Sequence, residues 1–131
     1  MNSTRLTLII LALFISISSS AQSKLNIDTV FKYICDKGIE HPEIVIKQAV
    51  LETGWFKSPF LMSRNNIFAF RYKEYLHFKS WKDCVDYYKT WQDKRYKDKS
   101  EDYYKFLVRI KYATPQYPAH LKKIKLDMIC K

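Results

Sequence analysis

Between His41-Pro42-Glu43 and Gly54 the chain carries a helix pattern with apolar side chains on almost every side. Pro42 stands at a first-turn position where a missing N–H costs nothing, and Gly54 supplies the stop. At 100° per residue, Ile44, Val45, Ile46, Ala49, Val50 and Leu51 point in nearly every direction, interrupted only by Lys47, Gln48 and Glu52. A helix apolar all round is a central one, because each of its faces needs a partner.

The surrounding chain offers four more helical patterns. Asn26 can cap a helix with Ile27, Val30, Phe31, Ile34 and Cys35 on one stripe, closed by Gly38. Ser80-Trp81-Lys82-Asp83 resembles a capping box and opens a helix carrying Trp81, Cys84, Val85, Tyr88 and Trp91. Ser100 leads into a helix with Tyr103, Tyr104, Leu107 and Ile110. A last one, starting near Pro115 to Pro118, lines up Tyr117, Leu121, Ile124 and Met128. Residues 67–72 and 75–78 read as a small hairpin around Lys73-Glu74. The expectation is a mainly α domain of about five helices with one short β-hairpin.

The N-terminus has a different character. Arg5 precedes the apolar run Leu6 to Ile17, and Ser19-Ser20-Ala21 places small residues before Gln22, the layout of a cleaved signal peptide. The run is about 12 residues, short of the roughly 20 that a membrane span needs. Residues 1–21 are therefore expected to be removed, leaving 22–131 as one domain that is secreted or periplasmic, with no membrane attachment after cleavage. No Cys follows the cut, which argues against a lipoprotein. The cut removes one charge, Arg5, and takes the net charge from +10 to +9. A balance this basic favours an anionic partner; export argues against nucleic acid and for a cell envelope. At 47% hydrophobic and 27% charged residues, disorder is excluded. Cys35, Cys84 and Cys130 lack zinc spacing and allow three pairings. Cys84 falls on an apolar stripe, which favours Cys35–Cys130.

Glu52 is the candidate with chemistry. It shares a helix face with Val45, Gln48 and Ala49, and it sits at the negative end of the helix dipole. Partial burial and the dipole both disfavour the carboxylate, so its pKa should rise, as a general acid requires. The bland alternative is a rim glutamate paired with Lys47 or Lys57. Apolar sugar faces pack on aromatic rings, and Trp55 and Tyr72 are the cleft candidates among 21 aromatic residues (Tyr 10, Phe 8, Trp 3). His41, His77 and His120 show no ligand spacing; no metal site or cofactor is expected.

Residues 41–72, with Gln48-Ala49-Val50-Leu51-Glu52-Thr53-Gly54-Trp55 and Asn65-Asn66-Ile67-Phe68, resemble the glucosaminidase family, glycoside hydrolase family 73 of the lysozyme-like superfamily. Phe78 to Gln92, Tyr103 to Leu107 and Tyr112-Ala113-Thr114 continue the likeness in the family's order. The resemblance implies a lysozyme-like domain acting on peptidoglycan glycan strands, expected as a monomer. It implies Glu52 as the catalytic acid and adds Gln48, Asn66, Phe68 and Tyr112 to Trp55 and Tyr72 as substrate-binding candidates. Two positions depart from the family: Phe56 stands where many members have Gly, and Ala69 replaces the Gly after Asn-Asn-Ile-Phe. Pro115 also stands in place of an Asp. A second carboxylate often comes from the β-lobe, where Glu74 is the only acid; a solvated turn residue is its alternative, and the substrate's own N-acetyl group could serve instead. Rival readings are a lytic transglycosylase on the same scaffold and a non-catalytic wall- or glycan-binding module.

Overall fold

The computed structural model describes residues 25–131; the expected signal peptide lies outside the described residues. Six helices follow one another: α1 (Ile27–Asp36), α2 (Pro42–Thr53), α3 (Pro59–Met62), α4 (Trp81–Arg95), α5 (Tyr103–Arg109) and α6 (Tyr117–Lys122). The domain is mainly α, with the small lysozyme-like character that the motifs implied.

The caps explain most boundaries. The Asn26 side chain accepts from the Thr29 N–H, and Gly38 (φ +66°) follows the end of α1. Ser80 accepts from the Asp83 N–H and its hydroxyl donates to the Asp83 carboxylate, which fixes the start of α4. Helix α5 is capped by Asp102 rather than Ser100, because Asp102 reaches the Lys105 N–H at 3.0 Å. Ile44, Val45, Ile46, Gln48, Ala49, Val50 and Thr53 of α2 are all buried, as an all-round apolar helix demands. It packs on α1 and α6, while α1 also meets α4 and α5 meets α6.

Three expectations need correction. The additional helix, α3, is a single turn that hydrophobic periodicity cannot register, although Ser58-Pro59 marks its cap and first residue. The last helix stops at Lys122 instead of running to Met128. The tail beyond it carries Cys130 to Cys35, and the two form a disulfide across 95 residues of sequence; Cys84 stays free and buried. The hairpin shrinks to one antiparallel bridge, Arg71 with Tyr75. Its turn has no Gly or Asn to set a tight reversal. The buried Asn66 side chain does the work of a partner strand: it accepts from the Phe70 N–H at 2.9 Å and donates to the Phe70 and Leu76 carbonyls.

Aromatic rings fill the space between helices. Phe68, Tyr88, Tyr96, Tyr103 and Phe106 are almost fully buried, and Tyr88 lies against Phe68, Phe70 and Trp91 with centroids 4.6–5.9 Å apart. Burying each such ring stabilises the fold by roughly 1.5–3 kcal/mol.

Candidate active site

The C-terminal end of α2 is built to hold one carboxyl in place. Thr53 is buried; its hydroxyl donates to the Ala49 carbonyl at 2.6 Å and accepts from the Phe56 N–H at 2.8 Å. Gly54, Trp55 and Phe56 then all take positive φ (57°, 61° and 62°), a left-handed turn that swings the chain off the helix end. Thr53 thus locks the turn directly beside Glu52. The Thr-Gly that follows the glutamate in sequence is explained by this geometry.

Glu52 is half-buried, and burial pushes its carboxyl above the ordinary value of 4.5. The nearby Tyr117 hydroxyl opposes the rise and is the smaller influence. Among the described residues no Lys or Arg pairs with it, so the rim ion pair with Lys47 or Lys57 does not form. A carboxyl that is partly desolvated and unpaired can hold a proton and release it to a leaving group.

Tyr117 comes from α6, and its buried hydroxyl lies against Glu52, Gln48 and Tyr112 without completing a hydrogen bond of ordinary geometry. Sequence reading placed Tyr117 in the core by its helical spacing and missed its proximity to Glu52; only the packing of α6 on α2 reveals it. Tyr112 is close as well: its hydroxyl donates to the Phe68 carbonyl, and burial raises its pKa, with the Glu52 carboxylate adding to the rise.

The remaining candidates divide into two groups. Gln48, Asn66 and Phe68 are 0% exposed, so their side chains stand behind the surface of the site. Gln48 accepts from the Tyr88 hydroxyl, Asn66 holds the 66–76 loop, and Phe68 packs on Phe70 and Tyr88. Trp55 and Tyr72, in contrast, are 51% and 89% exposed and can meet a ligand. Glu74 sits at the tip of the 71–75 turn, exposed, its backbone carbonyl accepting from the Tyr72 N–H. Its carboxylate makes no ion pair or hydrogen bond among the described residues.

Two cavities of about 490 and 550 Å³ lie elsewhere, against the C-terminal tail. The first is lined in part by Pro42, Glu43 and Lys47 at the start of α2, the second by residues of α1, so neither contains Glu52. No group of three His, Cys, Asp or Glu able to hold a metal occurs among the described residues. No helix among them is long and apolar enough to cross a membrane.

Set against known families, residues 30–128 match the profile described as "Glucosaminidase: Mannosyl-glycoprotein endo-beta-N-acetylglucosaminidase". No curated protein and no solved structure matches the chain.

Proposed function

We propose, from the premise that this chain belongs to the glucosaminidase family of glycoside hydrolases, that it is an exported peptidoglycan hydrolase. It cuts the β-1,4 bond after N-acetylglucosamine, with Glu52 as general acid. The observation that carries this reading is the environment of Glu52: half-buried, without an ion pair among the described residues, and raised in pKa by that burial.

Glu52 gives its proton to the glycosidic oxygen as the bond to the anomeric carbon breaks. Positive charge then develops on the sugar ring. The substrate's acetamido oxygen meets it from the other face, and a water that next attacks the anomeric carbon returns a proton to the Glu52 carboxylate. Exposed Trp55 and Tyr72 suit the apolar faces of sugars. The net charge of +10, or +9 once Arg5 is removed with residues 1–21, suits an anionic wall. Export rests on the residue 1–21 pattern, and intact mass of the secreted protein should begin at Gln22.

Mass spectrometry of digested peptidoglycan tests the activity. Fragments ending in reducing N-acetylglucosamine are expected. Anhydro ends would make the chain a lytic transglycosylase, and glycan bound but uncut would make it a binding module; either result overturns the proposal.

A further inference from the structure

Acids and bases are unevenly spread along this chain. Residues 53–80, the stretch between α2 and α4, carry Lys57, Arg64, Arg71, Lys73 and Lys79 against one acid, Glu74. Every ion pair among the described residues lies outside this lobe, where Asp36, Glu40, Asp86, Asp93 and Glu101 each hold a Lys or Arg and Glu43 faces His41. The lobe's five cations are left without a carboxylate partner among the described residues.

The lobe is fastened to the end of α2, directly after Glu52. The Lys57 and Ser58 N–H groups both donate to the Thr53 carbonyl, at 3.1 and 2.9 Å. Its two halves are joined where the Phe78 N–H donates to the Arg64 carbonyl at 2.9 Å and Asn65 Nδ2 donates to the Phe78 carbonyl at 2.9 Å. A row of stacked groups crosses between these halves. The Arg64 guanidinium lies over the Phe60 ring at 3.7 Å, Phe60 meets Tyr75 edge-on at 5.2 Å, and the Arg71 guanidinium stands 5.3 Å from the Tyr75 ring centre.

Stacking holds a guanidinium in place without using up its N–H groups. Arg64 donates through Nη1 alone, to the Phe60 carbonyl and Ser63 Oγ, and the Arg71 side chain makes no hydrogen bond among the described residues. Each therefore keeps donors free, and a planar fork of donors matches the two oxygens of a carboxylate. Trp55 and Tyr72, exposed in the same lobe, are covered by no cation and no other ring among the described residues. Those two rings are open to sugar faces, while the Arg64–Phe60–Tyr75–Arg71 row offers fixed positive charge. A glycan resting on Trp55 and Tyr72 presents to that row the groups that branch from it.

We propose that this lobe binds the carboxylates on the peptide branches of peptidoglycan, with Arg64 and Arg71 as the anchors. This rests on the reading of the chain as a peptidoglycan hydrolase, and it makes a peptide-bearing strand a better ligand than bare glycan. The stacked guanidiniums set where a carboxylate sits. Lys57, Lys73 and Lys79 add attraction that reaches about 10 Å at 0.1 M salt.

The test uses the whole chain carrying Glu52→Gln, so that strands are bound and not cut, with affinity read by calorimetry at low ionic strength. The ligands are soluble peptide-bearing strands, the same strands with their carboxyls amidated, and a neutral β-1,4-linked N-acetylglucosamine oligomer. Amidation should weaken binding by about tenfold, to the level of the neutral oligomer. Adding Arg64→Gln with Arg71→Gln should weaken binding to peptide-bearing strands by about the same factor and leave amidated strands within about twofold. Lys94→Gln with Lys105→Gln removes equal charge from exposed positions of α4 and α5 and should cost less than about threefold. Equal losses in the two double variants would reduce the effect to net charge and overturn the proposal. Undiminished affinity for amidated strands would overturn it too, and that comparison needs no change in the lobe, so it holds even if the arginine variant fails to fold. Strands stripped of their peptides keep only the lactyl carboxylate on the sugar; if they bind as tightly as peptide-bearing ones, the assignment to the branches falls. Because binding is read without turnover, a lobe that prefers carboxylated strands in a chain whose parent cuts none would refute the proposed hydrolase and stand by itself. A parent that cuts peptidoglycan while its Glu52→Gln form binds all three ligands equally would keep the proposed function and lose the lobe.

Discussion

Glu52 binds its proton more tightly in the folded chain than a free glutamate does. Protonation therefore favours folding: the contribution is full below the ordinary value of 4.5 and is lost as pH rises through the folded value. Glu52→Gln keeps the shape and removes that loss. It should melt at a higher temperature than the parent at neutral pH, with the difference vanishing in acid, a comparison for paired thermal scans at pH 7 and pH 4. The same variant should lose roughly 10²–10⁴-fold in rate, since an amide cannot supply the proton; a turnover assay on peptidoglycan reads this directly. Glu74 belongs to another class. Exposed substitutions typically change free energies by no more than about 0.5 kcal/mol, so Glu74→Gln should leave the rate within about twofold. Near-complete loss in a folded Glu74→Gln protein would instead identify a two-carboxylate mechanism. The perturbed state of Glu52 was readable from sequence because a helix face and a helix end can be counted off residue by residue. Tyr117 was not readable, because no local pattern says which residue of α6 will land on α2.

The turns around α2 show what the family departures mean. Phe56 and Ala69 stand where glycine is expected, and both adopt positive φ (62° and 54°). Side chains with a Cβ are strained there by roughly 1–2 kcal/mol. Ala69→Gly should therefore raise stability by about 0.5–1 kcal/mol despite the greater freedom glycine brings to the unfolded chain; chemical denaturation with an unchanged m-value would show it. A drop in stability would mean that the Ala69 methyl packs well enough to outweigh the backbone strain. Helix starts and stops at Asn26, Gly38, Ser80 and Gly54 were legible, because each cap is a short-range hydrogen-bonding or φ requirement. The hairpin was overestimated for the opposite reason. Alternating aromatics at 67–78 suggest strands, but Asn66 satisfies their backbone groups through its side chain, and a side chain reaching four and ten residues along leaves no periodic trace. The tail after Lys122 escaped for a similar cause, since its path is set by a bond to Cys35.

At the scale of the molecule, burial and one covalent link act together. Elimination of Cys84 by its apolar stripe favoured the Cys35–Cys130 pair, and the structure forms that pair. In the chain-entropy account, a link across a loop this long restricts the unfolded state strongly. Replacing both cysteines by serine should cost about 2–4 kcal/mol, visible as a lower denaturation midpoint. Because Glu52 lies at the far end of α2 from the tail-lined cavities, the folded variant should still cut. The disulfide also changes the topology of the chain. Residues 35 to 130 form a closed loop, with only short ends outside it among the described residues. A protease that cuts once within this loop, for instance in the exposed stretch 97–100, frees no fragment. The nicked molecule stays one covalent piece, heavier by one water, and comes apart only when a reductant opens the second connection. In surroundings rich in peptidases and poor in thiols, a single scission is an injury this fold can carry without losing any of its parts.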